Sequence, residues 1–284
     1  MLRRSKGGGM QNTGKRVVIT GAGSGLGRQL ALRYAREGAW LALADIQDDG
    51  LRETLRLVEE AGGSGFTRRC DVRDYSQLSA LAQTCEESVK GIDVLINNAG
   101  VASGGWFEEL SLEDWDWQIS INLMGVVKGC KAFLPLLLKQ PGGRIINIAS
   151  MAALMQAPAM SNYNVAKAGV VALSESLLCE LKPRGVQVQV VCPSFFQTNL
   201  LDSYRGPDAG SKDDIARLLE NSPISAADIA DTIYRESETG DFMILPHDKG
   251  REAWALKQTN PQLIHDEMVR MAVKKRGTAA PGSC

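Results

Sequence analysis

Val17-Val18-Ile19-Thr20-Gly21-Ala22-Gly23-Ser24-Gly25-Leu26-Gly27 is the stretch that decides the fold. Val17 to Thr20 is apolar and β-branched and runs into glycines, which reads as a buried strand. Arg28 to Glu37 has helical spacing. Glycine allows positive φ and lets the backbone approach a ligand closely. A helix that opens behind such a turn presents free N–H groups and the positive end of its dipole, a seat for a pyrophosphate. A glycine run alone is also a plain tight turn. Its place between the first strand and the first helix gives it weight. Gly21, Ser24, Gly25, Leu26 and Gly27 are the candidate contacts.

Outward from this turn, short apolar runs alternate with amphipathic ones. Strands are predicted at Trp40 to Ala44, Gly65 to Cys70, Asp93 to Ile96, Arg144 to Ala149, Val186 to Val191 and Phe242 to Leu245. Helices are predicted at Asp48 to Ala61, Ser76 to Lys90, Glu113 to Leu138 and Asn162 to Leu181. Near-continuous apolar strands in strict β-α alternation imply an α/β domain: a doubly wound parallel sheet of about seven strands, covered on both faces. Residues 15–249 form this one domain, with a substrate loop near 194–222. Residues 1–14 are expected to be a disordered leader, and Met10 is a possible second start. Residues 250–284 are expected to be a helical extension broken at Pro261, ending in a disordered tail.

Asp45 ends the second strand, about 20 residues beyond the glycine turn, where a carboxylate accepts hydrogen bonds from ribose hydroxyls and repels a 2′-phosphate. NAD is therefore expected, and NADP disfavoured. Arg28, the nearest cation suited to NADP, lies inside the first helix. Asp71 and Val72, after the third strand, are placed to meet an adenine. Tyr163 and Lys167 stand four apart on one helix face. A phenol titrates near about 10, too high for easy acid/base work at neutral pH. A neighbouring ammonium stabilises the phenolate, so the pair suits general acid/base catalysis. Ser150 ends the fifth strand and Asn97-Asn98-Ala99-Gly100 ends the fourth, both at the carboxyl edge where such sheets bind ligands. Asn122 is mid-helix, a costly place for an amide without a partner, and is read as holding a water between Lys167 and solvent.

These residues together resemble the short-chain dehydrogenase/reductase family, in order and with its spacing. The matching elements are Thr20-Gly21-x-x-x-Gly25-x-Gly27, Asp71, Asn97-Asn98-Ala99-Gly100, Asn122, Ser150, Tyr163-x-x-x-Lys167, and Pro193 with Thr198. The resemblance implies a Rossmann fold and a catalytic tetrad of Asn122, Ser150, Tyr163 and Lys167. It further implies that Lys167 binds the nicotinamide ribose and that Thr198 meets the carboxamide or phosphates. Asn98, Ala99, Gly100 and Pro193 complete the implied cofactor contacts. Two departures stand out. Pro193 is followed by Ser194, not glycine, and the family's terminal strand with Asp-Gly-Gly is replaced by Phe242-Met-Ile-Leu-Pro246 and a further tail. The second puts the family's terminal subunit contacts in doubt.

The segments beside the tetrad are apolar: Met151, Leu154, Met155 and Met160; Trp106 and Phe107; Phe195, Phe196, Leu200, Leu201 and Tyr204. Methionine and aromatics suit irregular apolar ligands, so a lipophilic secondary alcohol or ketone is the expected substrate. Met151, Phe195 and Phe196, with Ser150 and Tyr163, are the substrate candidates. The alternatives are a cofactor-sensing or scaffold protein on the same fold, which has no need of Tyr163 with Lys167, and a methyltransferase with a similar glycine turn. The chain has 32 basic and 33 acidic residues and a formal net charge of -1, which steers it toward neither nucleic acid nor an anionic membrane. Six scattered cysteines and two histidines offer no metal site and point to a reducing, cytoplasmic setting. No run of about 18 uncharged apolar residues predicts a membrane span. Apolar residues in excess on the helices at 113–138 and 162–181 predict a homo-dimer or tetramer.

Overall fold

The computed structural model describes residues 14–207, 212, 216, 217 and 219–277. The predicted leader (Gly14 apart), part of the substrate loop and the final seven residues of the tail lie outside the described residues. The described chain alternates as β1 (Arg16–Thr20), α1 (Gly25–Ala35), β2 (Trp40–Asp45), α2 (Asp48–Glu60), β3 (Ser64–Arg69) and α3 (Tyr75–Val89). It continues through β4 (Val94–Asn97), α4 (Leu112–Asn122), α5 (Met124–Leu137), β5 (Arg144–Ile148), a short α6 (Ala152–Met155) and α7 (Ser161–Leu181). Then come β6 (Gln187–Val191), α8 (Ala226–Thr239), β7 (Met243–Ile244), α9 (Asp248–Thr259) and α10 (Pro261–Arg276).

All seven strands pair in parallel, in the order β3-β2-β1-β4-β5-β6-β7. This is the doubly wound Rossmann sheet, and its order reverses between β1 and β4, where ligands bind. Side chains of alternate sign along each strand feed two cores. One holds Leu30, Tyr34, Leu51, Ile229 and Ile233 against Val17, Ile19, Leu41 and Leu43. The other holds Leu78, Leu81, Phe133, Val170 and Leu181 against Val18, Leu95, Ile145 and Val188. The glycine turn is tight for a steric reason. A Cβ at Gly27 would lie 2.0 Å from the Gly21 carbonyl oxygen, and Gly21 itself has φ +67°.

Two elements differ from the expectation. The helix predicted at 113–138 is broken at Leu123, which departs from helical geometry with φ -112° and ψ -59°. The segment Leu112–Leu137 is long and apolar enough to cross a membrane by length and composition. Here it forms the two helices α4 and α5, with Gln118 and Asn122 fully buried. The second difference is α8, absent from the sequence reading. Its signal was present: Ser225 and Asp228 form a capping box, followed by buried Ile229, Ala230 and Ile233. Pro261 does begin a new helix, with Asn260 at the break and its side chain capping Leu263 N–H at 3.3 Å.

Candidate active site

The carboxyl ends of β1, β2, β4, β5 and β6 surround one cavity of about 820 Å³. At one end the glycine turn is held by its neighbours. Thr20 Oγ1 accepts the N–H groups of Asn98 and Ala99 at 3.1 Å each. The Asn98 amide donates to the carbonyls of Thr20 and Gly21, both at 3.0 Å. Asp45 accepts from Gly23 N–H at 2.9 Å and from Gln47 N–H at 3.0 Å, which aims its carboxylate at the turn. Arg28 is occupied by Thr54 at 2.9 Å and by the carbonyls of Gly23 and Gly50.

Gly21, Ser24, Gly25, Leu26, Asp45, Asp71, Val72, Asn98, Ala99, Gly100, Pro193 and Thr198 all line the cavity. Gly27 does not; it lies under the turn, where only a hydrogen fits. Asp71 has a strong competitor for any adenine. Both of its oxygens accept from Arg73, with an ion pair at 2.6 Å that holds the carboxyl below the usual range.

Beyond the turn, Ser150, Tyr163 and Lys167 come together on the cavity wall. Strand β5 presents Ser150 at its end and α7 presents the other two one turn apart. The start of α7 is tied to the loop after β4. Asn162 Nδ2 donates to Ser103 Oγ, and Asn162 Oδ1 accepts Tyr163 N–H, both at 2.8 Å. Between Ser150 and Tyr163 the chain makes two left-handed residues, Gln156 with φ +51° and Ala159 with φ +59°. Such non-glycine strain concentrates where a surrounding structure over-determines it.

The electrostatics of this cluster are dominated by burial. Burial pushes the Tyr163 phenol up, and a hydrogen bond with Ser150 opposes it. Burial pulls the Lys167 ammonium down to about 8. Its Nζ donates to the Ile148 carbonyl at 2.9 Å and lies 5.9 Å from the centroid of the Tyr163 ring. Burial is the largest influence on the phenol, so its net shift is upward, against the expected lowering. Asn122 has a partner that the spacing does not reveal. Its side chain is engaged by the Val101 backbone, accepting at 2.8 Å and donating at 2.9 Å, which leaves one lone pair on Oδ1 and one hydrogen on Nδ2. It still touches the site through Gly100, where a Cβ would lie 3.0 Å from Asn122 Oδ1 and 3.5 Å from Lys167 Nζ.

The other end of the cavity is lined by Met151, Met155, Met160, Phe195, Phe196 and Trp117. Trp106, Phe107, Leu154 and Tyr204 are not on this wall. Phe107 is 72% exposed, and Leu154 is buried in the core. The extension closes this end: Gly250 and Ala253 of α9 and Met268 and Met271 of α10 line it. Polar ties beyond its root hold it down. Lys257 donates to the carbonyl of Leu154, and Arg276 pairs with Glu108 at 2.7 Å while stacking 3.8 Å over the Trp106 ring. His247, at the root, was not singled out in the sequence. Being one of two histidines and directly following the last strand was its only signal.

Fold and site define a dinucleotide-binding α/β protein with a serine-tyrosine-lysine cluster beside the glycine cradle. The family model for short chain dehydrogenases matches residues 15–208. The oxidoreductase UcpA of Salmonella typhimurium is 40% identical over 197 residues, 67% of this chain and 73% of that protein. A short-chain dehydrogenase/reductase from Burkholderia phymatum, solved in complex with NAD, superposes with a TM-score of 0.83 at 32% identity, over 90% of this chain and 96% of that one. An alcohol dehydrogenase from the archaeon Thermococcus sibiricus, complexed with 5-hydroxy-NADP, has a TM-score of 0.70 at 26% identity, over 81% and 94%. The chain belongs to the short-chain dehydrogenase/reductase family of oxidoreductases.

Proposed function

We propose that the protein interconverts a lipophilic secondary alcohol and its ketone with NAD as the hydride partner. The observation that carries this reading is the continuity of one cavity from the glycine cradle, past Ser150, Tyr163 and Lys167, to a methionine- and phenylalanine-lined end. The cradle fits a dinucleotide, since Cβ atoms at Gly21, Gly23 and Gly27 would each meet backbone or Asp45 at 3.0 Å or less. Asp45 lines the cavity beside the glycine turn, where its carboxylate would meet a ribose diol and repel a 2′-phosphate, and Arg28 is engaged by protein groups, which supports NAD over NADP. When bound, the nicotinamide supplies or accepts the hydride, and its positive form favours the Tyr163 phenolate. Ser150 holds the substrate oxygen. Tyr163 gives that oxygen a proton in reduction and removes it in oxidation, which contributes about 10²–10⁴ in rate for a well-placed group. Lys167 supports the phenolate and the cofactor ribose. Asn122 acts as a positioning residue that fixes Val101 beside Gly100.

NADH fluorescence on titration with the protein, followed by turnover of a panel of alcohols and ketones with NAD and NADP, tests this reading. Tight binding with no turnover of any apolar pair would favour a sensor role instead, and no binding would end both. We also propose self-association through α4, α5 and α7, where Val165 is 50% and Met124 39% exposed. Light scattering that shows a monomer at micromolar concentration would overturn it.

A further inference from the structure

His247 is a buried imidazole at the junction of two cavity walls. It is the N-cap residue of α9, and its ring makes no capping bond. Instead it turns toward the loop after β6. Nδ1 accepts the Ser194 N–H at 3.2 Å, and Nε2 lies 3.1 Å from the Phe195 carbonyl oxygen. A peptide N–H requires a bare nitrogen and a carbonyl requires a protonated one. The two bonds together define the neutral ring with its proton on Nε2. Ser194 and Phe195 line the cavity from one side, and Gly250 and Ala253 line it from the other. Gly250 packs against Met151, next to Ser150: its Cβ position would be 3.3 Å from Met151 Sδ and 3.6 Å from His247 Cβ, so the link to the loop after β6 is made by the His247 ring.

We propose that His247 is a positioning residue for the substrate end of the cavity. Its neutral imidazole clamps the Ser194 and Phe195 peptides of the loop after β6 to the first turn of the helical cap, so that charging or replacing the ring weakens substrate binding and spares the chemical step. This rests on the reading of the apolar end as the substrate site. Protonation at Nδ1 removes the acceptor and directs an N–H at the Ser194 N–H, while the bond from Nε2 survives. Burial holds the ring below its ordinary value, and the bond to Phe195 opposes this. The charged groups acting on it are Arg251, which lowers it further, and Asp248, which raises it, both on α9. Arg251 is itself paired with Glu236 of α8. The loop after β6 offers it only backbone at Ser194 and Phe195. A depressed histidine keeps its clamp above the ordinary value near about 6.5 and loses it as pH falls through the lowered folded value. The other ties, through Lys257, Arg276 and the Arg251–Glu236 pair, contain no imidazole, and variants of His247 separate their contribution from that of the ring.

The test uses the full chain with NAD. Two histidines, His247 and His265, make the imidazole nitrogen spectrum simple. One ring is expected to show the Nε2–H form and to titrate below about 6.5. For an apolar substrate pair, KM is expected to rise about fivefold as pH falls from about 7.5 to well below the lowered value of the ring, with kcat changing less than about twofold beyond its own profile. His247→Asn, which keeps an acceptor for Ser194 and cannot titrate, should flatten the acid rise in KM. His247→Leu, which keeps the packing and loses both bonds, should raise KM at every pH. An Nδ1–H ring, a flat wild-type KM, or equal loss of kcat and KM in the leucine variant would overturn the proposal. If no substrate turns over, amide exchange decides it independently. His247→Leu should speed exchange at residues 194–195 and 248–253 and leave the glycine turn unchanged, and a uniform increase would count against the clamp.

Discussion

At the glycine-turn end of the cavity almost every polar group is already bonded to another part of the same end, whereas at the opposite end the walls are methionine and aromatic side chains fastened at a few points. Thr20, Asn98, Asp45 and Arg28 form one interlocked set within residues 20–98. The other end draws on α4, the loop after β6 and the two terminal helices, and is held by His247, Lys257 and Arg276. The first arrangement is preorganised for one ligand, since its dipoles need not move on binding. The second is adaptable, because methionine fits irregular shapes and a few ties can shift without breaking a core. A family that shares its cofactor and varies its substrates would divide its construction in this way.

The contrast can be broken first at the boundary between the ends. Tyr163→Phe should reduce turnover about a thousandfold while the dissociation constant for NADH, read by fluorescence, stays within about twofold. Retention of more than a small fraction of activity would remove the phenol from the chemistry. At the cradle, wild type should prefer NAD, and Asp45→Ala should narrow the kcat/KM ratio between NAD and NADP by about tenfold or more, the value of a hydrogen bond to a charged group. A wild-type preference for NADP would end the assignment. At the apolar end, deleting residues 250–284 should raise KM about tenfold and lower the melting temperature, with NADH affinity retained. No change in KM, assembly or melting would show that the cap has no docking role.

The smallest effect concerns Lys167. Burial lowers it to about 8, so folding favours the neutral amine. The sign follows: the associated stability is present above the unfolded value near about 10.4 and is lost as pH falls toward the folded one, leaving the full cost at neutral pH. Lys167→Met should therefore destroy activity yet raise the melting temperature of the cofactor-free protein by about 2–4 °C at pH 7. A lower melting temperature would mean that the bond to Ile148 outweighs the desolvation.

The cradle was legible in the sequence because its determinants are local. Glycines, a strand before and a helix after are enough, and the steric reason at Gly21 and Gly27 is visible in residue type alone. The cluster of Ser150, Tyr163 and Lys167 was legible because helical spacing and strand ends place them. What each side chain does with its spare bonds was not. Asn122 and Asp71 were each read for a ligand, and each also has a protein partner, Val101 and Arg73, that spacing does not reveal. The break at Leu123 and the helix Ala226–Thr239 were missed for different reasons. A break without proline or glycine has no local signal, whereas Ser225 and Asp228 were a signal left unread. His247 depends on contacts 52 and 53 residues away, and no window along the chain contains them.

The tie between Arg276 and Glu108 spans 168 residues. Synthesis runs from the amino end, so every residue of the cradle and of the serine-tyrosine-lysine cluster has been made by Thr198, well before Arg276 exists. At about 5–20 residues per second, the interval is roughly 4–16 seconds. During it the nascent chain has a seat for the dinucleotide but no cap. Met151, Met155 and Met160 then await their cap, and early cofactor binding would add stability to the half-made protein.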